Sequence, residues 1–332
     1  MAIALVLGAA LSNVTAELLS RPAQNLMAFA SGSSFSSANR NENEIPMTFY
    51  PRLGKAAYNP LYIASRALSD FNASKKQNRE KSMAVFLKRI QWLMDNLKFY
   101  VHDELKYGIW EENFPVPYYR LTAPWRCGMA QGYGITALAK AYELTGNISY
   151  LEYAKYALNA FFVEVRNGGV TYKDSNDEWW FEEYAGGKTQ IRVLNGAIYA
   201  ILDIYKFWKT TGDKDAEILY KKGLNGIKNR LEMYDTGSWT YYDAIGTIAT
   251  SHYHRDHIKL TRRLYEISHE KIFLDYSNKW SNYHIPYFFR EFVIQKPDYH
   301  DMVILALNFG IVLVIEYVSL AIFYWFRPSH NS

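Results

Sequence analysis

The chain has 332 residues, 49% hydrophobic and 21% charged, which is globular composition and excludes wholesale disorder. Its 37 basic and 33 acidic residues are spread along the sequence and leave a net charge of +4, so no dense basic face exists for phosphates and nucleic acid is excluded as a partner. An aromatic share of 17% suits both sugar stacking and thick helical packing, and a lone cysteine, Cys127, rules out an internal disulfide and any Cys-based metal cluster.

In chain order, Ala2 to Leu11 is a short apolar run ending near Val14-Thr15-Ala16, a signal-like pattern without a basic leader, and the sequons at Asn13, Asn72 and Asn147 are compatible with export. Residues 28–45 are rich in Ser, Asn and Gly and read as a linker, so 1–45 precede the fold. From 46 to 295 the pattern is helical. Apolar residues recur at three and four residue spacing over 60–71, 79–98, 129–145, 149–165, 191–210 and 214–232, and two further helices are expected over 254–268 and 270–283. Thr145-Gly146-Asn147 and Thr211-Gly212-Asp213 place a Gly where one helix stops and a polar residue before the next, so the helices pair as hairpins.

Two stretches break the helical period. Gly168 to Tyr184 is β-branched and aromatic on either side of Asp174-Ser175-Asn176-Asp177 and predicts a β-hairpin, and Gly237 to Asp243 has the same strand-like character. The expected fold is therefore all-α, about four helical hairpins in an (α/α) toroid-like arrangement with inserted β-hairpin loops. Met302 to Phe326 then runs 25 residues with Asn308 and Glu316 as its strongly polar interruptions, long enough for a C-terminal transmembrane anchor. Asp298 and Asp301 before it and Arg327 after it favour a single pass with the folded domain extracytoplasmic.

Six segments occur in an order that resembles the C-terminal domain of the D-glucuronyl C5-epimerases: Gly128-Met129-Ala130-Gln131-Gly132, Trp179 to Tyr184, Val193-Leu194-Asn195-Gly196, Tyr234 to Ser238, Tyr242-Asp243, and Tyr253-His254 with His257-Ile258. The resemblance covers about Tyr58 to Tyr283. It implies a toroid acting on a hexuronic acid polymer, as in heparan sulfate and heparosan maturation, and converting glucuronate to iduronate. It implies no cofactor. By motif, Glu183, Tyr184, Tyr242 and Tyr253 are the expected catalytic residues.

The chemistry fits those residue types. C5 of a uronate lies α to a carboxylate, so epimerisation takes a weakly acidic proton from one face and returns one to the other, with donors or positive charge on the carboxylate. A tyrosine acts as a base only if its pKa falls below about 10, which calls for a neighbouring cation. The resemblance implies an arginine three residues after the Tyr242 position, as in vertebrate-type members, but Ile245 stands there in this chain. Arg126, Arg192 and Arg255 are the replacement candidates, with Arg192 and Arg255 ranked first because they flank matched motifs, unless salt bridges occupy them. Gln131, Trp179, Asn195, His254 and His257 complete the expected substrate contacts, and Asn195, Trp179 and Trp180 suit packing positions equally. Glu182 reads as a solvated neighbour of Glu183. His252, His254 and His257 have no acidic or cysteine partner at a metal spacing, so no metal is expected.

The polymer, the bilayer through residues 302–326 and a second copy of the chain are the expected partners. A uronate lyase or hydrolase on the same fold, or a glycan-binding protein that has lost catalysis, are the alternative readings; Ile245 is the argument for the last.

Overall fold

A computed structural model describes residues 2–30, 39–40, 45–50, 55–75, 79–174, 178–294, 297 and 299–325. Most of the expected linker, the tip of the Gly168 hairpin, Asp298, Phe326 and Arg327 lie outside them. The chain divides into two compact units, residues 38–283 and a second formed by 1–37 with 284–332. The first helix, α1 (Ala2–Ala30), belongs to the second unit and runs well beyond the short apolar segment that the sequence suggests.

The larger unit opens with a small antiparallel sheet of β1 (Asn39–Arg40), β2 (Pro46–Tyr50) and β3 (Lys55–Tyr58). Helix α2 (Pro60–Ser74) starts where the Asn59 side chain accepts from the Tyr62 N–H and Pro60 supplies a preset φ, and it pairs with α3 (Arg79–Asp95). Two antiparallel pairs follow, β4 (Lys98–His102) with β5 (Leu105–Ile109) and β6 (Glu111–Glu112) with β7 (Trp125–Arg126), in a stretch where the sequence predicted no element.

Three more hairpins come next: α4 (Gly128–Thr145) with α5 (Ser149–Asn159), α6 (Leu194–Thr211) with α7 (Lys214–Lys228), and α8 (Ser251–Ser268) with α9 (Lys271–Ser281). The expected punctuation holds. Gly146 and Gly212 end α4 and α6 at φ of 72° and 71°, and Asp213 caps α7 by accepting from the Ala216 N–H. Between α4 and α5 on one side and α6 on the other, β8 (Thr171–Lys173) pairs with β9 (Trp179–Phe181) as the predicted hairpin. The Gly237–Asp243 stretch forms isolated bridges, Asp235 to Thr240 and Tyr241 to Ile248, rather than a strand.

Helix α2 packs on α4, α4 on α6 and α6 on α8, giving an inner row whose outer partners are α3, α5, α7 and α9. This is the four-hairpin (α/α) toroid-like architecture. Helix α4 is rich in Gly and Ala and buried over most of its length, which suits an inner position. Gly132 lets its backbone approach Ala200 and Asp203 of α6, where a methyl would come within 3.2 Å, and Thr136 donates to the buried Asp203 carboxylate at 3.0 Å.

The smaller unit contains α1, a short turn α10 (Tyr287–Phe289) continued by a π-helical turn over Arg290–Ile294, and α11 (Tyr299–Trp325). Helices α1 and α11 pack together, burying Ala16, Ala23 and Ile304, and Thr15 donates to Asn308 at 2.6 Å. Within α11, Asp301–Phe323 is long and apolar enough to cross a membrane.

Candidate active site

The loops at the starts of the inner helices gather the chemistry. Gly128 N–H donates to Glu182 O at 2.8 Å, and Arg126 and Ala185 exchange two backbone hydrogen bonds, so the start of α4 is laced to the Glu182–Ala185 segment. That segment turns because of Glu182. Fully buried rather than solvated, its carboxylate accepts from the backbone N–H of Tyr184 at 3.3 Å and of Arg192 at 2.8 Å. It holds the loop shut behind its neighbour.

Glu183 is buried against the first turn of α6, where the absence of a side chain at Gly196 leaves room for its carboxyl; a methyl there would lie 2.0 Å from Oε2. That Oε2 atom has no hydrogen-bond partner. Burial first, then the charge of Glu182, push the Glu183 carboxyl up to about 8, so it holds its proton near neutrality. Tyr184 lies within hydrogen-bonding reach of Glu183, and its ring stacks on Trp125 at 5.4 Å.

Tyr242 and Tyr253 come from separate elements. Tyr242 sits in the loop before α8, where its N–H donates to Thr247 O and its carbonyl accepts from the Leu194 N–H at the start of α6. Tyr253 stands in the first turn of α8 with its ring 4.5 Å from that of Tyr242. The Tyr242 hydroxyl is within hydrogen-bonding reach of both Tyr184 and Tyr253, so three hydroxyls delivered by three segments converge beside one carboxyl. Burial pushes all three phenols up, and the Glu183 charge adds to each. The sequence predicts phenols lowered by neighbouring cations, whereas burial raises them here.

The remaining expected residues divide. Asn195 is buried in the first turn of α6 with its Oδ1 lacking a partner, which suits a ligand hydroxyl. Arg255 is partly buried on α8, two residues beyond Tyr253. Gln131 is wholly buried and bridges the Trp110 N–H and the carbonyls of Gly108 and Ala157, a core tie rather than a substrate contact. Trp179 is packed edge-on to Phe162 under Lys173, and Trp180 stacks on Tyr234, so neither offers an open face to a sugar.

Arg192 is pinned. Its guanidinium pairs with Asp174 at 3.2 Å, its backbone takes φ of 54°, and its carbonyl accepts from the Tyr234 hydroxyl. Arg126 faces the buried Glu111 at 3.8 Å. His254 stacks on Trp239 at 3.6 Å, and both His254 and His257 contact the Thr240 hydroxyl, at 2.9 and 3.0 Å. Burial pushes His257 down to about 3. These histidines brace the 239–243 loop from inside instead of lining the site.

A further buried acid, Glu112, carries no signal in the sequence. Glu112 on β6 has an Oε2 without a partner, and burial pushes its carboxyl from 4.5 up to about 8. The native state keeps this proton while the unfolded chain loses it above 4.5, so the stability contribution is complete below the unfolded value and is lost as pH rises through the native one. Glu112→Gln is expected to flatten the fall in melting temperature between about pH 5 and 8. Circular dichroism melts across that range check it, and a slope equal to that of the wild type would contradict it.

The architecture is one that solved sugar epimerases share. A structure titled sugar epimerase from a ruminal bacterium superposes with a TM-score of 0.51 at 13% identity, covering 69% of this chain and 60% of that one. Cellobiose 2-epimerase from Bacillus thermoamylovorans gives 0.52 at 11% identity, covering 84% and 73%. These likenesses concern the fold. In sequence, residues 102–282 match the family described as D-glucuronyl C5-epimerase C-terminus, and the chain belongs to that family.

Among curated relatives, D-glucuronyl C5-epimerase of Caenorhabditis elegans is 28% identical over 228 residues, 62% of this chain and 36% of the relative. An uncharacterized protein of Methanocaldococcus jannaschii is 43% identical over 176 residues, 52% of this chain and 56% of that protein. The chain thus spans between about a third and a little over half of the curated relatives it matches.

Proposed function

We propose that this chain inverts C5 of D-glucuronate residues within a polysaccharide. The observation that carries the reading is the convergence of the Tyr184, Tyr242 and Tyr253 hydroxyls beside a buried, neutral Glu183. A carboxyl that titrates at about 8 is poised for proton transfer near neutral pH, whereas three desolvated phenols conduct protons without staying charged. In its ionised form Glu183 takes the Tyr184 proton as Tyr184 takes the one on C5. Tyr253 donates to the opposite face, and its oxygen recovers a proton through Tyr242 and Tyr184 from Glu183. The chain of hydroxyls closes the proton balance in either direction.

Where Ile245 stands in place of arginine, Arg255, two residues beyond Tyr253 on α8, is the cation proposed to reach the substrate carboxylate, and the free Oδ1 of Asn195 accepts a sugar hydroxyl. Incubating the protein with heparosan and analysing the uronate tests the reaction: iduronate supports the reading, and a 4,5-unsaturated uronate or an unchanged polymer contradicts it.

The reading extends to domain use and location. Residues 46–295 form the catalytic region, 1–45 lead into it, and 302–326 anchor it to a bilayer with the catalytic region outside, an arrangement supported by the apolar length of α11. Protease added to intact cells is expected to digest the catalytic region. Digestion only after permeabilisation would reverse the orientation.

A further inference from the structure

The connection between β6 and β7 doubles back on itself. Val116 and Leu121 exchange both backbone hydrogen bonds, at 3.0 and 3.1 Å, around a tip that carries Tyr118 and Tyr119 and closes with Arg120 at φ of 53°. Two hydroxyls tie the tip to the loop that bears Tyr242: Tyr119 donates to Asp243 Oδ2 at 2.8 Å, and Tyr118 contacts the Thr247 hydroxyl at 2.9 Å. The roles of the two tyrosines differ. Tyr118 is mostly exposed at the rim, whereas the Tyr119 ring lies 4.7 Å from that of Tyr184 and forms part of the tyrosine cluster.

Asp243 is fully buried, and its other oxygen accepts from the Thr247 N–H at 2.9 Å. The carboxylate is thus fixed in place and keeps the Tyr119 proton directed at itself. With that proton committed, the Tyr119 oxygen has lone pairs to offer and no proton to give. A phenol that donates to a carboxylate is also the stronger acceptor, because the two bonds polarise one another. The groups around a uronate ring that can donate to it are sugar hydroxyls.

We propose that Tyr119 is a further substrate-contacting residue of this site, its ring walling the tyrosine cluster and its oxygen accepting a hydrogen bond from a hydroxyl of the bound sugar. The assignment rests on the uronate-polymer reading, not on which proton carrier acts first. Asp243 acts through Tyr119 as a positioning residue.

The test compares Tyr119→Phe with Tyr118→Phe, each of which removes one tie between the tip and the 243–247 loop. Heparosan oligosaccharide binding is measured by titration calorimetry, with melting temperature measured alongside. Loss of one such contact weakens binding by roughly tenfold. That loss is expected for Tyr119→Phe alone, with melting temperature changed no more than in Tyr118→Phe. Equal binding losses in both variants, or none in Tyr119→Phe, would overturn the contact in favour of a purely structural tie.

Hydroxyl-radical footprinting of the wild-type protein needs no variant. Oligosaccharide should protect Tyr119 and leave Tyr118 reactive, and unprotected Tyr119 would overturn the proposal even if the variants fail to fold. Binding by wild type without isotope exchange at C5 would sink the catalytic reading and leave Tyr119 to be judged on affinity and footprint. No binding by wild type would sink both.

Discussion

Tyr184→Phe and Tyr253→Phe are each expected to lower net epimerisation by roughly 10²-fold or more while polymer binding stays nearly intact, the usual scale for removing an acid or base. Each substitution deletes one oxygen and keeps a ring that packs against its neighbours, Trp125 and Tyr119 for Tyr184 and Tyr242 for Tyr253. The fold has no reason to change. The two losses should differ in kind. Without Tyr184 the path to Glu183 is cut, whereas without Tyr253 the Tyr184–Glu183 pair survives and can still wash hydrogen in and out of C5 from one face. Isotope exchange in glucuronate with little iduronate formed is the expected signature of Tyr253→Phe, read by mass spectrometry of the recovered uronates. Wild-type turnover in both variants would transfer the reaction to Tyr242 and another carrier.

Gly196→Ala should be almost as damaging to activity. Alanine ordinarily favours a helix over glycine by about 1 kcal/mol, and on propensity alone the change would stabilise α6. The local geometry decides otherwise: the new methyl would meet Glu183 Oε2 at 2.0 Å and its Cβ and Cδ at 2.8 Å. Overpacking of this kind costs about 1–3 kcal/mol, and here it is relieved by moving either Glu183 or the start of α6, each of which takes the acid away from Tyr184. A loss of turnover of roughly 10²-fold with a modest fall in melting temperature is expected. Gly226→Ala is the control. Its methyl would strike the Trp179 carbonyl at 2.0 Å, a backbone clash away from the tyrosines that should lower stability more than turnover per folded molecule. Normal activity in Gly196→Ala would mean that the Glu183 carboxyl is not held where the mechanism needs it.

The helical hairpins were legible because their signals are local: apolar spacing, Gly146 and Gly212 after α4 and α6, and Asp213 at the next start all lie within a few residues of what they control. The apolar spacing predicts α6 from Ile191, but the helix begins three residues later, at Leu194. Nothing near Arg192 announces that its backbone will adopt a positive φ, with its N–H taken by Glu182 and its carbonyl by Tyr234. Non-local pairing also hid the true partners of the charges. Asp174 binds both Arg192 and Arg230, which turns the favoured clamp candidate into part of a scaffold.

The candidate site was legible to the extent that motifs carried it. Glu183, Tyr184, Tyr242 and Tyr253 meet in space, but that their hydroxyls meet through Tyr242 depends on contacts about 60 residues apart in the chain, beyond any spacing rule. The histidines misled because a His-rich helix start looks like chemistry. Their direction, inward onto Thr240 and Trp239, is set by tertiary packing. Tyr119 was missed because the 98–126 stretch has neither period, and its one usable signal was the Pro117-Tyr118-Tyr119 run at a turn.

The central claim is that this chain removes and replaces the hydrogen on C5 of a uronate, and solvent isotope tests it most directly. Wild-type protein incubated with heparosan in deuterated water should place deuterium at C5 of both the recovered glucuronate and the iduronate formed from it. Glu183→Gln and Tyr184→Phe should lose that label. A polymer recovered without deuterium at C5, from protein shown to bind it, would contradict the account.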